Sequence, residues 1–240
     1  MNRRRILASL GSHTPTAKDY VQDGLVAMWD GIENDGYFDD GIAHKDEGHW
    51  RNLVDGKCTD KTYPGQHKIL FESNCLVLDG SWGVYYSDIS YAFDSAHSVE
   101  CCVFVEDHLG VGSQTIFRTT GDAGRGLRFV HIQGGFLNIG QSNVDSVACQ
   151  ITDGDHSFSG SIDQGKLYVD GQYIAPSRAV DYWTGFGTTI GFKYNPPSMD
   201  NFFRGKIYAI RCYSRSLSQQ EVMQNYAIDK ARFGPRKSDT

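Results

Sequence analysis

Residues 205–221, with the sequence GKIYAIRCYSRSLSQQE, have the pattern of a β-strand that leads through a turn into a helix. Side chains of a strand alternate between the two faces of a sheet. One predicted face carries Ile207, Ala209 and Arg211, and the other carries Tyr208, Ile210 and Cys212. The mainly apolar content of this strand predicts that at least one of its faces is buried.

The helix after this strand is predicted from its first turn. Ser218 stands three residues before Glu221, which is the spacing of a capping box, in which each side chain binds the backbone N–H of the other residue. We expect a short helix from this point. Its predicted inner stripe consists of Val222, Met223, Tyr226 and Ala227.

Length and composition favour a single all-β domain. A chain of 240 residues is within the size of one β-sandwich, and its 27 glycines and 12% aromatic residues suit many short strands joined by tight turns. We predict an extended N-terminal arm in residues 1–20, a β-sandwich in residues 21–233 and a C-terminal tail in residues 234–240.

Charge and hydropathy exclude two classes of partner. The formal net charge of −6 argues against a protein that coats nucleic acid. No stretch approaches the roughly 20 apolar residues of a membrane-spanning helix, so we expect no membrane insertion.

The N-terminus carries a basic run, Arg3, Arg4 and Arg5, followed by the apolar residues 6–10. The apolar segment of a secretory signal has roughly 7–15 residues, so we interpret this terminus as an arm and not as a signal. The arginines suit a docking arm that orders against a partner, and the alternative is a solvated tail.

Two glycine-containing pairs predict β-hairpins. Gly134-Gly135 separates two apolar segments, and Asp170-Gly171 separates two others. Two-residue turns of type I′ need positive φ at both positions, which these residues tolerate. Residues 98–105 are almost continuously apolar, which predicts a central strand.

The six cysteines show no C-x-x-C spacing of the kind that builds zinc or redox sites. We interpret them as reduced thiols buried as small apolar residues. A disulfide between distant strands is the alternative, since sequence does not supply connectivity.

The order of these motifs resembles a laminin G-like domain of the concanavalin A-like lectin/glucanase superfamily. The resemblance covers residues 23–233 and is carried by GLVAMWD at 24–30, LVLDG at 76–80, SVECCV at 98–103, KLYVDG at 166–171 and the closing segment 203–222. It implies an all-β fold, an antiparallel β-sandwich of the jelly-roll type with a short C-terminal helix. It does not imply one function, because the superfamily includes lectins, enzymes and structural domains.

The two ends of the chain are also similar to laminin G-like proteins encoded by phages and prophages of gut bacteria. This similarity implies a virion component that is assembled in the host cytoplasm. Its partners would be other virion subunits, bound through the arm with Arg3, Arg4 and Arg5, other copies of itself on the particle, and host-surface polysaccharide. The alternative is a free or cell-surface lectin in the extracellular space.

Catalysis is not predicted. The glucanases of the superfamily that this chain resembles typically carry an E-x-D-x-x-E strand. This sequence lacks that motif. Glu100 and Glu106 would lie about 20 Å apart in an extended strand, too far for the carboxyl pair of a glycoside hydrolase. We therefore expect a protein that is not an enzyme and has no organic cofactor.

The resemblance also implies one calcium ion at the rim of the sandwich. A calcium site needs six to eight oxygen ligands, and Asp153 and Asp155 are the candidates to supply some of them. The alternative is that both are solvated loop acids.

Sugar binding needs an aromatic platform beside amide or carboxylate groups. Two patches have this composition. The first comprises Trp183, Tyr194, Asp200, Asn201 and Phe202, and the second comprises Trp82, Tyr85 and Tyr86. The alternative for both patches is that the aromatic side chains complete the core.

Overall fold

The computed structural model describes most of the chain from Thr14 to Gly234. The described residues are 14–33, 50–56, 61–63, 70–72, 74–86, 98–110, 112–120, 128–140, 147–161, 166–176, 187–195 and 198–234.

These residues form seventeen strands, one 3-10 turn and one α-helix. The turn is Ala17–Asp19 and the helix, α1, is Gln219–Phe233. The strands are β1 (Leu25–Asp30), β2 (Lys61–Tyr63), β3 (Leu70–Glu72), β4 (Cys75–Asp79), β5 (Gly83–Tyr86), β6 (Ser98–Val105), β7 (Ser113–Thr120), β8 (Arg128–Gln133), β9 (Phe136–Gly140), β10 (Val147–Gln150), β11 (Gly154–Ser161), β12 (Lys166–Val169), β13 (Gln172–Pro176), β14 (Gly187–Ile190), β15 (Lys193–Asn195), β16 (Ser198–Asp200) and β17 (Arg204–Tyr213).

Two antiparallel sheets make the sandwich. The first sheet has the order β13-β12-β11-β6-β17-β4-β3, and β1 pairs with the second half of β17. The second sheet has the order β10-β9-β8-β7-β14-β5-β2, and β15 and β16 form a separate hairpin. The predicted fold class, an all-β antiparallel sandwich with a short C-terminal helix, is confirmed. Within the described part of the chain, no helix has both the length and the apolar character needed to cross a membrane.

Both predicted hairpins are present. Asp170 and Gly171 have φ values of 51° and 71° and join β12 to β13. Gly134 and Gly135, with φ values of 57° and 82°, join β8 to β9. The predicted central strand is β6, which lies between β11 and β17.

The core lies between the two sheets. Trp29 of β1 is fully buried, and its ring centroid lies 5.3 Å from that of Tyr86 and 6.0 Å from that of Phe117 on the opposite sheet. Aliphatic residues of β6 and β17 complete the core with those of β7 and β8. The second sheet is therefore fixed with one face on the core and the other turned away from it.

A β-bulge corrects the predicted faces of β17. The pairing of β17 with β6 shifts between Ile207 and Ala209, and an extra residue at this point turns later side chains to the other face. Ile207 therefore shares the core with Ile210 and Cys212, while Ala209 packs on the outside of the sheet. The prediction that Ile207 and Ala209 share a face was wrong.

The capping box of the helix is confirmed, but its inner stripe is not the predicted one. The Glu221 N–H donates to the Ser218 hydroxyl, and the Ser218 N–H donates to the Glu221 carboxylate. Met223, Tyr226 and Ala227 are only half-buried. The buried residues of α1 are Val222, Asn225, Ile228, Asp229, Arg232 and Phe233.

Polar residues occupy the buried stripe because the outer face of the first sheet carries a buried charge. Arg211 of β17 is 0% exposed. Its Nη1 and Nη2 donate to the two carboxylate oxygens of Asp229 over 2.7 and 2.8 Å, and its Nε donates to Glu100 over 3.0 Å. Asn225 also donates to Glu100. A hydrophobic pattern in the sequence could not reveal these contacts.

The N-terminal segment packs on the same charged layer, which corrects the predicted arm. Tyr20 is buried, its hydroxyl donates to Asp229 over 2.8 Å, and its ring lies 4.1 Å from the Arg211 guanidinium. Arg232 makes a second buried ion pair with Asp30 of β1. An extended arm up to residue 20 is therefore wrong for residues 17–20, which belong to the folded domain. Arg3, Arg4 and Arg5 lie outside the described residues.

The five described cysteines are free thiols, and four of them are buried: Cys75, Cys101, Cys102 and Cys212. This confirms the interpretation as small apolar residues for those four. Cys149 is half-buried, and Cys58 lies outside the described residues.

We predict that Asp229→Asn lowers the free energy of unfolding by about 3–5 kcal/mol, because it leaves the buried Arg211 guanidinium without its bidentate anion. Urea unfolding followed by circular dichroism measures the change. The matched control is Asp23→Asn, which removes a carboxylate that pairs with Arg215 but is 86% exposed. Its expected cost is within about 1 kcal/mol. Equal costs for the two variants would contradict the role assigned to Arg211.

Candidate functional site

The face of the second sheet that points away from the core is lined with polar side chains. Phe117, Val130 and Ile132 of β7 and β8 belong to the core. Because side chains alternate, their neighbours Arg118 and His131 point to the opposite face. A register shift between Thr115 and Phe117 places Thr115 directly opposite His131, so Thr115 lies on this face as well.

A pocket of about 220 Å³ opens on this face. Its walls come from the neighbouring strands β7 and β8 and from the segment around the β15–β16 hairpin. The residues that line it are Ser113, Thr115, Arg118, His131, Gln133, Lys193 and Asn201. All seven side chains are polar, so the pocket offers hydroxyl, amide, imidazole and cationic groups to a ligand.

Asn201 is held at the pocket by the backbone of β7. The Thr115 N–H donates to the Asn201 carbonyl oxygen over 2.7 Å, and Thr115 forms a parallel bridge with Phe202. Asn201 has a φ of 57°, a left-handed conformation that asparagine tolerates better than most residues. The Asn201 side chain is thus placed by a fixed turn.

Arg118 is the buried cation of the pocket. Arg118 is only 1% exposed. Burial disfavours the charged guanidinium and lowers the pKa of Arg118 to about 10, although the negative charge of Asp200 acts in the opposite direction. Lys193 is more exposed, and its Nζ lies 3.8 Å from the Asp200 carboxylate. At neutral pH Arg118 is therefore charged.

His131 contributes a neutral imidazole. Burial lowers the pKa of His131 to about 4, and the positive charge of Lys193 adds to this effect. The ring is therefore uncharged at pH 7, and it can serve as a hydrogen-bonding group.

An aromatic cluster lies beside the pocket on the same segment. The rings of Tyr85 and Tyr194 have centroids 5.3 Å apart. Phe192 and Phe202 are stacked, with centroids 5.8 Å apart and planes within 10°, and Phe192 also contacts Tyr194. Tyr85, Tyr194 and Phe202 are half-buried, so parts of these rings face solvent. The structure thus brings members of the two predicted sugar-binding patches into one cluster.

Other members of the predicted patches do not lie on this surface. Trp82 is 5% exposed and Tyr86 is 0% exposed, and both belong to the core. The Tyr86 hydroxyl donates to the Trp50 carbonyl oxygen. An exposed platform made by Trp82 and Tyr86 is therefore wrong, and the alternative of core residues holds for them. Trp183 lies outside the described residues.

The two calcium candidates are engaged by different partners. Asp153 accepts hydrogen bonds from the backbone N–H of His108 and binds its ring, both over 2.7 Å. Asp155 accepts a hydrogen bond from the Tyr208 hydroxyl over 3.0 Å. Among the described residues, no group of three or more His, Cys, Asp or Glu side chains is arranged to hold a metal ion. The calcium site stays a prediction that rests on the resemblance.

A second cavity, of about 280 Å³, lies between α1 and the outer face of the first sheet. His156 lines it, donating from Nε2 to the Thr152 carbonyl oxygen while Nδ1 lies 3.2 Å from Asp170. Burial lowers the pKa of His156, but these hydrogen bonds outweigh burial and the net shift is upward. The groups around this cavity already bind one another, so it is a weaker candidate site.

Most residues that line the first pocket were missed by sequence reasoning, which identified only Asn201 in the pocket and Asp200 next to it. Arg118 and His131 occupy the polar positions of alternating strands, a pattern that is normally interpreted as a solvated face. The available signal was the length and hydrogen-bonding capacity of these polar side chains. Their convergence depends on the pairing of β7 with β8.

Comparison with known proteins identifies fold relatives only. No protein-family model matches the sequence, and no curated protein sequence matches it. The structure is similar to Trypanosoma rangeli sialidase in complex with sialic acid, with a TM-score of 0.65 and 14% identity over 94% of this chain and 35% of that chain. The laminin G-like assignment stays a prediction.

Two botulinum neurotoxin structures are also similar. The serotype D binding domain has a TM-score of 0.59 and 13% identity over 85% of this chain and 52% of that one. The binding domain of botulinum neurotoxin DC in complex with SialylT has a TM-score of 0.58 and 10% identity, and the match covers 89% of this chain and 52% of that one. The chain thus spans a third to a half of the length of these proteins, and the identities are so low that they show the shared sandwich fold alone.

We predict that the two histidines have opposite effects on the pH dependence of stability. His131 has a lowered pKa, so the unfolded state binds more protons between pH 6.5 and about 4, and stability falls as pH falls through this window. His156 has a raised pKa, so its contribution is fully present below pH 6.5 and is lost as pH rises through the folded-state pKa.

Urea unfolding of His131→Gln and His156→Gln at pH 5 and pH 8 measures both effects against the unsubstituted chain. Relative to that chain, His131→Gln should gain stability on moving from pH 8 to pH 5, whereas His156→Gln should lose it. Each variant serves as the control for the other. Changes of the same sign would contradict the assigned environments.

Proposed function

We propose that this protein is a carbohydrate-binding β-sandwich that acts without catalysis, and that the pocket on the outer face of the second sheet is its sugar site. One observation carries the proposal. A pocket lined by seven polar side chains lies beside a half-exposed aromatic cluster, with both on the same sheet face.

The chemistry of the pocket matches that of a sugar. Ring hydroxyls need directional donors and acceptors, and Ser113, Thr115, Gln133 and Asn201 offer hydroxyl and amide groups. The apolar C–H face of a pyranose packs on aromatic rings, and the candidates are Tyr194 and Phe202, which directly follow the pocket residues Lys193 and Asn201 in the chain. Most of these groups stand on paired strands, so little conformational entropy is lost on binding.

The fold relatives are consistent with this proposal. One is a sialidase in complex with sialic acid, and another is a toxin binding domain in complex with SialylT. These ligands belong to those proteins, and at 10–14% identity they support a lectin-like role here only through the shared fold.

Absence of catalysis is part of the proposal and follows from the side chains at the pocket. Most glycoside hydrolases use two carboxyl groups, and sialidases use a tyrosine nucleophile. The described residues that line the pocket include neither a carboxylate nor a tyrosine. We expect the chain to release no 4-methylumbelliferone from the N-acetylneuraminic acid conjugate of this dye, and release above the buffer rate would contradict this part of the proposal.

A finer proposal concerns the setting. The resemblance to phage-encoded laminin G-like proteins supports a virion decoration protein that presents the pocket to host-surface polysaccharide and docks on other subunits through residues 1–13. The alternative is a free or cell-surface lectin. Deleting residues 1–13 leaves the folded segment from Thr14 intact and should abolish incorporation into particles in density gradients. Full incorporation of the truncated chain would contradict the docking role.

We predict that Asn201→Gly weakens glycan binding by about 1 kcal/mol, roughly fivefold, because it removes an amide that hydrogen-bonds the sugar. Glycine keeps the positive φ of this position, so the turn is retained. The full chain is first screened on a glycan array, and the best ligand is then titrated by calorimetry.

The matched control is Asn74→Gly, which removes the same side chain from the first sheet next to β4. Its affinity should equal that of the unsubstituted chain. If Asn201→Gly and Asn74→Gly bind the glycan with equal affinity, the sugar site is not at this pocket. If the full chain binds no glycan on the array, the proposed lectin function is wrong.

A further inference from the structure

The second cavity, of about 280 Å³, lies between α1 and the outer face of the first sheet, on the side of the sandwich away from the sugar pocket. Residues of β6, β11 and β17 line it, together with the turn between β12 and β13 and the last turns of α1. Its volume is just below the roughly 300–1,000 Å³ of pockets that hold drug-sized molecules. The cavity therefore has room for one small molecule, such as a single amino acid.

The buried carboxylate of this cavity, Asp229, is fully engaged by the fold. Its two oxygens accept hydrogen bonds from the Arg211 guanidinium. They also accept hydrogen bonds from the hydroxyls of Tyr20 and Ser157, each over 2.8 Å. Because a carboxylate has about four acceptor sites, Asp229 shapes the cavity but has no site left for a ligand.

A second carboxylate, Asp170, is balanced by His156. Asp170 accepts a hydrogen bond from the Ser157 N–H over 2.9 Å, and its other oxygen lies 3.2 Å from His156 Nδ1. His156 Nε2 lies 2.9 Å from the Thr152 carbonyl oxygen. Since both ring nitrogens face oxygen acceptors, each must carry a proton, and the ring is then an imidazolium cation. The charges of His156 and Asp170 cancel.

Asp155 and Lys230 are the charged residues of the cavity that lie outside these pairs. Asp155 accepts a hydrogen bond from the Tyr208 hydroxyl, a neutral donor, over 3.0 Å. Lys230 Nζ lies 5.8 Å from the centroid of the Tyr226 ring. Within the described ranges neither side chain forms an ion pair, and both residues are exposed. The cavity thus presents one acidic and one basic side chain to a ligand.

Aromatic rings form the apolar part of the cavity. Tyr208 and Phe233 are buried, and they stack with their ring centroids 5.5 Å apart and an angle of 26° between their planes. Tyr226 lies against the turn between β12 and β13, where a Cβ atom on Gly171 would be 2.7 Å from Tyr226 Cδ1. Only glycine leaves room for this ring, so α1 and the turn are in close contact. The cavity is therefore preformed, which lowers the entropic cost of binding.

We propose that this cavity binds a free α-amino acid with an apolar side chain. Asp155 binds the ammonium group of the ligand, Lys230 binds its carboxylate, and its side chain packs on the rings of Tyr208, Tyr226 and Phe233. The flexible stem of a lysine lets Nζ follow the ligand carboxylate. A ligand with both charges satisfies Asp155 and Lys230 together, whereas a ligand with a single charge satisfies only one of them.

The test is a titration of the ¹⁵N-labelled full chain with three probes at constant ionic strength, followed by amide chemical shifts. L-phenylalanine carries both charges, 2-phenylethylamine lacks the carboxylate and sodium 3-phenylpropanoate lacks the ammonium group. We expect L-phenylalanine to bind about fivefold more tightly than either of the others, because each exposed charge contact contributes about 1 kcal/mol. The shifted amides should belong to β11 and to the last turns of α1.

Two substitutions assign the charges to residues. Asp155→Asn keeps an acceptor for the Tyr208 hydroxyl and should weaken L-phenylalanine binding about fivefold while 3-phenylpropanoate binding is unchanged. Lys230→Gln should weaken L-phenylalanine binding to the same extent while 2-phenylethylamine binding is unchanged. Both residues are exposed, so the variants should fold. The matched controls are Asp23→Asn and Lys18→Gln, which change exposed residues away from the cavity and should bind L-phenylalanine like the unsubstituted chain.

The pattern of losses decides the result. Preference for L-phenylalanine that falls in Asp155→Asn and Lys230→Gln, and is kept in both controls, supports the inference. Binding of 2-phenylethylamine or 3-phenylpropanoate as tightly as L-phenylalanine overturns it in favour of a site for one charge. Absence of binding by all three probes overturns it, and so does L-phenylalanine binding that neither cavity variant weakens. The proposed sugar site lies on the other sheet, so glycan binding on the array should be the same for both cavity variants.

Discussion

Arg211 lies fully buried on the outside of the first sheet, and the layers on that side depend on its charge. A buried guanidinium group is tolerated only when anions and hydrogen bonds replace its water. Glu100 comes from the adjacent strand, but Asp229 comes from the C-terminal helix. The helix must therefore dock in one register, and Tyr20 brings the N-terminal segment onto the same carboxylate. One cation thus links the sheet, the helix and the first described turn.

This arrangement gives the two outer faces different roles. The helix and the N-terminal segment pack on the outside of the first sheet, where the charges already bind one another. In the described part of the chain, the outside of the second sheet carries the pocket lined by Arg118 and six other polar side chains. The first face uses its buried cation for folding. We infer that the second face, with its polar pocket and aromatic rings, is the sugar-binding face.

Local signals in the sequence were enough to predict the architecture. The Ser218 and Glu221 capping box and the Asp170-Gly171 turn depend on residues close in the chain, and both are present. The bulge at Ile207 and the polar stripe of the helix depend on partners that are far away in sequence, such as Glu100 for Asn225. Hydrophobic periodicity carries no information about such partners.

The candidate site also combines features that depend on residues close in the chain with features that depend on distant partners. Asn201 was predicted as a sugar-binding residue because its loop has the right composition, and the structure places it at the pocket. Arg118 and His131 were missed because polar residues on alternating strands resemble a solvated face. Tyr85 and Tyr194, predicted in separate patches, meet because β14 pairs with β5 and Tyr194 follows β14 in the chain. The residue types were visible in the sequence, whereas their convergence required the strand pairing.

The most direct test of the central claim is a crystal structure of the full chain grown with the glycan that the array identifies as its tightest ligand. The account predicts density for the sugar in the pocket on the outer face of the second sheet, with its hydroxyls on Thr115, Gln133 and Asn201 and its ring toward Tyr194. Density for the sugar beside the C-terminal helix, or an empty pocket at a concentration where solution titration shows saturation, would contradict it.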